Sequence, residues 1–184
     1  MSESNVLLLP GWQNSDPGHW QSRWQQVYGD HRVEQHDWMR PLRGDWSAQL
    51  EEAVLAASGP VRLAAHSLGC ILVAAWAAHS KNTHKVLCAL LVAPGDTERD
   101  DLRQMIPGWA PIVRQRLPFP SLLTAADNDP YCAADRSRQM AADWGAEFVA
   151  AGGGAHGGHL NSDSGLGDWP EGRALLNQIS SKDD

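Results

Sequence analysis

The sequence lacks what a nucleic-acid or membrane partner would require. It carries 15 Lys and Arg against 22 Asp and Glu, a formal net charge of −7, with no basic run to attract phosphate backbones or anionic lipid. No stretch reaches the ~18 consecutive apolar residues of a membrane span. Met1-Ser2-Glu3-Ser4-Asn5 has none of the basic, apolar and cleavage regions of a signal peptide, so the cytoplasm is the expected compartment. Three cysteines, Cys70, Cys88 and Cys132, stand far apart without a Cys-x-x-Cys pair and read as reduced core thiols. Phenylalanine and tyrosine are scarce, two of each, against nine tryptophans; indole is large and apolar with one donor, which suits the wall of a pocket. There is no internal repeat. Nor does a glycine-rich phosphate loop follow the first apolar run, since Pro10-Gly11-Trp12-Gln13-Asn14 is not one, and this excludes a nucleotide-binding reading.

What is present fits one soluble domain over residues 1–184 with a single site: 42% of residues are hydrophobic and 20% charged, enough apolar material to bury a core. Val6-Leu7-Leu8-Leu9 is a continuous apolar run stopped by Pro10-Gly11, as expected of a strand buried on both faces. Asp16-Pro17 reads as an N-cap with proline at the first helical position, before Trp20, Trp24, Val27 and Tyr28 at helical spacing and a stop at Gly29. A weak strand is expected over 33–37, a helix capped by Asp45, a strand over 61–65 and a helix over 70–79 that is apolar nearly all round. Strands over 86–93, 122–126 and 147–150, with helices ending at Trp144 and near Ile179, complete the pattern. Alternation of this kind predicts a three-layer α/β fold: a mostly parallel sheet of about six strands, helices on both faces, because each parallel pair needs a long crossover. The one plausible insertion, 94–119, would form at most a small cap.

Between the strand at 61–65 and the following helix stands Ala65-His66-Ser67-Leu68-Gly69. A serine on a sharp strand-to-helix turn projects its hydroxyl clear of the sheet, and the turn tolerates only small residues two places before and after it. Gly69 satisfies the rule, and Ala65 departs from the commoner glycine by one methyl. A hydroxyl becomes nucleophilic only when a base takes its proton, so a carboxylate and then a histidine are expected further along. Asp127 and Asp129 follow the strand at 122–126, and His156 and His159 lie in the loop after the last strand.

Leu9-Pro10-Gly11-Trp12, His66-Ser67-Leu68-Gly69, Asn128-Asp129-Pro130, Gly158-His159-Leu160-Asn161, Ser164-Gly165 and Trp169-Pro170-Glu171-Gly172 together resemble the small α/β-hydrolases of the retinoblastoma-binding-protein-9 type, over nearly the whole chain. The resemblance implies a compact α/β-hydrolase fold with a minimal lid, and a serine hydrolase with Ser67 as nucleophile, Asp129 as acid and His159 as base. Read from the residues alone, both pairs of neighbours stay open. Asp129 is favoured over Asp127 because it precedes proline and is biased to an extended backbone. A His156-x-x-His159 metal pair is disfavoured without further ligands, so no metal and no cofactor are expected.

An oxyanion formed on acyl attack would need two donors: Leu68 N–H, next to the nucleophile, and Trp12 N–H, where Gly11 permits close approach. Trp12 and Trp109 are candidate walls of an acyl pocket, although for any single tryptophan core packing is the better reading. The expected partner is a small ester, thioester or amide, with no nucleic acid and no membrane, and a protein partner is not indicated. The competing class is a catalytically idle interaction module, since folds do not fix functions. The intact triad residue types disfavour it, as does the absence of a Leu-x-Cys-x-Glu peptide: Leu68-Gly69-Cys70-Ile71-Leu72 ends in leucine.

Overall fold

Alternate residues of the first apolar run feed two separate cores. In β1 (Val6–Leu9), Leu7 and Leu9 join Trp46, Leu50 and Ile71 on one face, while Val6 and Leu8 join Trp20, Trp24 and Leu176 on the other. This two-faced burial is what an unbroken apolar strand requires, and it sets the layers. The computed structural model describes residues 5–152 and 157–180. After β1 come α1 (Trp20–Tyr28), β2 (His31–Arg32), α2 (Arg43–Ala56), β3 (Val61–His66) and α3 (Leu68–Ala77). They are followed by β4 (Val86–Val92), α4 (Asp100–Met105), β5 (Ser121–Ala125), α5 (Ala134–Trp144), β6 (Glu147–Ala150) and α6 (Pro170–Ser180). The six strands form one sheet in the order β2-β1-β3-β4-β5-β6, every pair parallel. Side chains of α2, α3 and α5 fill the core on one face and those of α1 and α6 the core on the other.

From β1 the chain moves outward to β2, then returns past β1 to β3 and continues the other way, so strand order reverses between β1 and β3. In open parallel sheets the crevice for a ligand lies outside the carboxyl ends of the strands at such a reversal. The loops after β1, β3, β4, β5 and β6 all emerge on that edge.

Several local expectations are corrected. The second strand is His31–Arg32, paired with Leu7 and Leu8 of β1, and not 33–37. Asp37 turns the chain instead, its Oδ1 accepting from the N–H groups of Met39 and Arg40, both at 2.9 Å. Asp16 does not cap α1: it closes a turn by accepting from Gly18 N–H at 2.9 Å, and His19 takes the cap, its Nδ1 accepting from Gln21 N–H at 3.1 Å. Asp45 sits inside the first turn of α2, whose N-cap is Leu42, and there it still complements the positive helix end. Trp109 does not line the cavity over Ser67. It is fully buried beneath the segment after β4, its ring 5.5 Å from that of Trp46 and its Nε1–H donating to Pro41 O at 2.9 Å.

Candidate active site

Ser67 stands between β3 and α3 with φ 55° and ψ −119°, a conformation that a residue with a side chain seldom adopts and that the surrounding packing must impose. Space explains the glycines beside it. A Cβ on Gly69 would collide with the carbonyl oxygen of Leu9, and one on Gly11 would come within 2.9 Å of Ser67 Cβ and 3.2 Å of Leu68 N. The loop after β1 is thereby seated directly against the elbow, and Trp12, Ser67 and Leu68 line one cavity. Leu68 is the first residue of α3, and the amides that open a helix have no acceptor within it.

His159 reaches Ser67 from the loop after β6. Its Nε2 lies 2.8 Å from Ser67 Oγ, and its Nδ1 lies 2.9 and 3.0 Å from the two carboxylate oxygens of Asp129. A carboxylate only accepts, so Nδ1 carries the hydrogen and Nε2 is left bare to accept from the serine hydroxyl. The Asp129 side chain is fully buried, and its Oδ1 also accepts from Tyr131 N–H at 2.9 Å. Asp127, two residues earlier, is exposed. His156 lies outside the described residues.

The backbone that carries His159 is held from three directions by side chains with no place among the sequence-derived candidates. Asn128 Oδ1 accepts from Gly158 N–H at 2.7 Å, a fit that leaves no room for a side chain on Gly157, whose Cβ would lie 2.5 Å from that oxygen. His66 Nε2 meets the carbonyl of His159 at 2.7 Å, and Trp20 Nε1–H donates to the carbonyl of Leu160 at 3.0 Å. The only sequence signal for them was proximity: His66 adjoins Ser67 and Asn128 adjoins Asp129. Nothing in the sequence links Trp20 to Leu160, 140 residues away.

Three imidazoles stand in a row here, with ring centroids 4.6 Å apart for His19 and His66 and 4.8 Å for His66 and His159. Burial pushes the first two strongly toward the neutral form: His19 is lowered to about 3 and His66 well below the ordinary histidine range. Neighbouring histidines add to the effect, and Asp16 opposes it only partly at His19. The His19 Nε2 is buried without a hydrogen-bond partner, which makes a charge there costlier still. The cysteines are all buried and unbridged. Burial raises the thiol of Cys70 far above its usual range and that of Cys132 to about 11, so neither forms a thiolate near neutral pH.

The cavity over Ser67 has a volume of about 550 Å³. Trp12, Leu102, Ile106 and Tyr131 give it an apolar side; Gln13, Asn14, Asn161 and Ser162 give it a polar one. Among the described residues no Lys or Arg lines it, and no group of three or more His, Cys, Asp or Glu could hold a metal ion. No helix among them is long and apolar enough to cross a membrane.

A parallel sheet flanked by helices, with a half-buried serine facing a cavity at the strand-reversal edge, is the architecture of the α/β hydrolases, and comparison with solved structures gives that fold. A YdeN-like hydrolase assigned from Pectobacterium atrosepticum is 27% identical, with a TM-score of 0.83 over 97% of this chain and 91% of that one. The ydeN gene product of B. subtilis is 17% identical, with a TM-score of 0.75 over 97% and 99% of the two chains. A thermophilic esterase from Thermogutta terrifontis is 14% identical, with a TM-score of 0.67 over 96% and 89%. No curated protein matches the chain. The model of the serine hydrolase family matches residues 6–178, and the chain belongs to that family.

Proposed function

We propose that the protein hydrolyses small neutral carboxylic esters, and related thioesters or amides, through an acyl-enzyme on Ser67. The observation that carries this reading is the continuous hydrogen-bonded line from Asp129 through His159 to Ser67 Oγ. As Oγ attacks the substrate carbonyl carbon, its proton passes to His159 Nε2, and Asp129 stabilises the imidazolium that forms. The carbonyl oxygen becomes an oxyanion facing Leu68 N–H and Trp12 N–H. His159 then returns the proton to the departing alcohol, thiol or amine, and a water activated by the same nitrogen attacks the acyl carbon to release the acid and restore Ser67.

Among the described residues the cavity is lined by no Lys or Arg but by Asp16 and Asp163, which disfavours an anionic acyl portion, and about 550 Å³ is room for a small one. The likeness to an esterase fold and the sequence resemblance to small hydrolases of the retinoblastoma-binding-protein-9 type are consistent with a single compact unit acting on small molecules. Incubation with a fluorophosphonate probe followed by peptide mass spectrometry tests the proposal. The expected result is one adduct, on Ser67, that disappears in a folded Ser67→Ala variant. No adduct on well-folded protein would overturn it in favour of an idle scaffold.

A further inference from the structure

His66 is buried, borders the cavity beside Ser67 and uses its side chain on the backbone of His159. Its Nε2 lies 2.7 Å from the carbonyl oxygen of His159. A carbonyl oxygen only accepts, so Nε2 carries the hydrogen and donates it. The ring has no freedom to do otherwise, being packed between His19 at 4.6 Å and His159 at 4.8 Å, with Trp20 edge-on at 6.3 Å. The next carbonyl along, that of Leu160, is taken by Trp20 Nε1–H, and Leu160 itself has φ 49°, so the chain here is bent into a shape it would not hold unaided.

From this geometry we infer that His66 is a positioning residue: by donating to the His159 carbonyl it locks the base-bearing loop to the elbow and sets the separation between Ser67 Oγ and His159 Nε2. Trp20 secures the same loop one residue further on. A single side chain thus couples the two reacting groups, because His66 leads by one peptide bond into Ser67 and by one hydrogen bond into His159. The inference rests on the proposed hydrolase reading and adds to it a residue that acts through His159.

Two isosteres separate positioning from packing. In His66→Gln the side-chain amide nitrogen falls where Nε2 was, keeping a donor for the carbonyl; in His66→Asn it falls near the place of Nδ1 and cannot reach. With a short-chain aryl ester, His66→Asn is expected to lower kcat about a hundredfold, the scale of a misplacement of about 1 Å, while KM stays within about twofold. His66→Gln should recover most of that loss, and fluorophosphonate labelling rates at Ser67 should follow the same order. Equal activities for the Asn and Gln variants, or losses carried mainly by KM, would overturn the inference. If His66→Asn does not fold, Trp20→Phe removes the second donor and should slow turnover about tenfold at unchanged KM, and wild-type kcat in that variant counts equally against it. Failure of the parent reading looks different: the wild-type protein itself would neither label at Ser67 nor hydrolyse the ester.

Discussion

Two carboxylates two residues apart, Asp127 and Asp129, illustrate what decides function at the scale of a side chain. Asp129 is buried and spans both oxygens to His159 Nδ1, whereas Asp127 faces solvent. Substituting Asp129→Asn replaces an acceptor that fixes the imidazole tautomer by a group that can also donate, and His159→Ala removes the proposed base altogether. Each is expected to lower kcat/KM for an aryl ester by about 10³–10⁴-fold, while Asp127→Asn stays near wild type. A severe loss at Asp127 instead would displace the acid within the loop. The chemical types and chain order of these residues were legible in the sequence because the elbow motif demands them, and the aspartate before Pro130 is the one that meets His159. The donors that hold His159 in place were not legible. A histidine beside a serine does not announce which way its ring turns, and the acceptor of His66 lies 93 residues away.

At the scale of elements, the strands other than the second could be read from runs of apolar residues, and the starts of α1 and α2 could not. Asp16 and Asp45 both looked like caps; His19 caps α1, and α2 begins at Leu42 without a side-chain cap. Capping depends on which residue the turn before the helix delivers to the first free amides, and that turn was set by Asp16 closing on Gly18. The segment 94–119 is the more consequential case. Its apolar residues Trp109, Ile112, Leu117 and Phe119 are buried in the core, leaving Leu102 and Ile106 to line the cavity. Arg136 of α5 ties its start down, with Nη2 2.8 Å from Glu98 Oε2 and 3.1 Å from Asp96 Oδ1, and Glu98 Oε1 in turn accepts from Ile112 N–H at 3.0 Å. A segment spent on filling the core and anchored in this way supplies a wall and no large cover. Turnover is therefore expected to fall as the acyl chain lengthens, without a jump when the substrate aggregates. Each added methylene should change binding by only ~1–3 kcal/mol. A series of aryl esters from acetyl to palmitoyl, assayed below and above their aggregation limits, checks this. Preference for long chains or activation on aggregates would show that the segment opens.

Across the whole molecule, the same burial that serves the site makes the fold sensitive to acid. His19 and His66 are held neutral in the folded protein, His19 down to about 3 and His66 well below 6.5, and both regain an ordinary histidine value when the chain unfolds. Between the unfolded and folded values the unfolded chain binds more protons, so stability is fully present above about pH 6.5 and is lost as pH falls below it. For His19 that loss continues down to about pH 3. Each imidazole costs at most about 1.4 kcal/mol per pH unit within its window, so the pair gives a slope of up to about 2.7 kcal/mol per unit. Asp16 and Glu51, held low by side-chain hydrogen bonds, act in the same direction but only below the usual carboxylate range, so the imidazoles govern the first stage of the decline. Against a typical stability of about 5–15 kcal/mol, a fall of two pH units below 6.5 removes a large share. Urea unfolding at pH 7.5, 6 and 5 should show the midpoint unchanged above 7 and dropping steeply below 6, with uptake of close to two protons on unfolding near pH 5. His66→Gln, which keeps the donor to His159 and cannot be protonated, should halve that slope. A stability that stays flat from pH 7.5 to 5 would mean that these imidazoles accept protons inside the folded protein, and that the row of rings beside Ser67 is open to water.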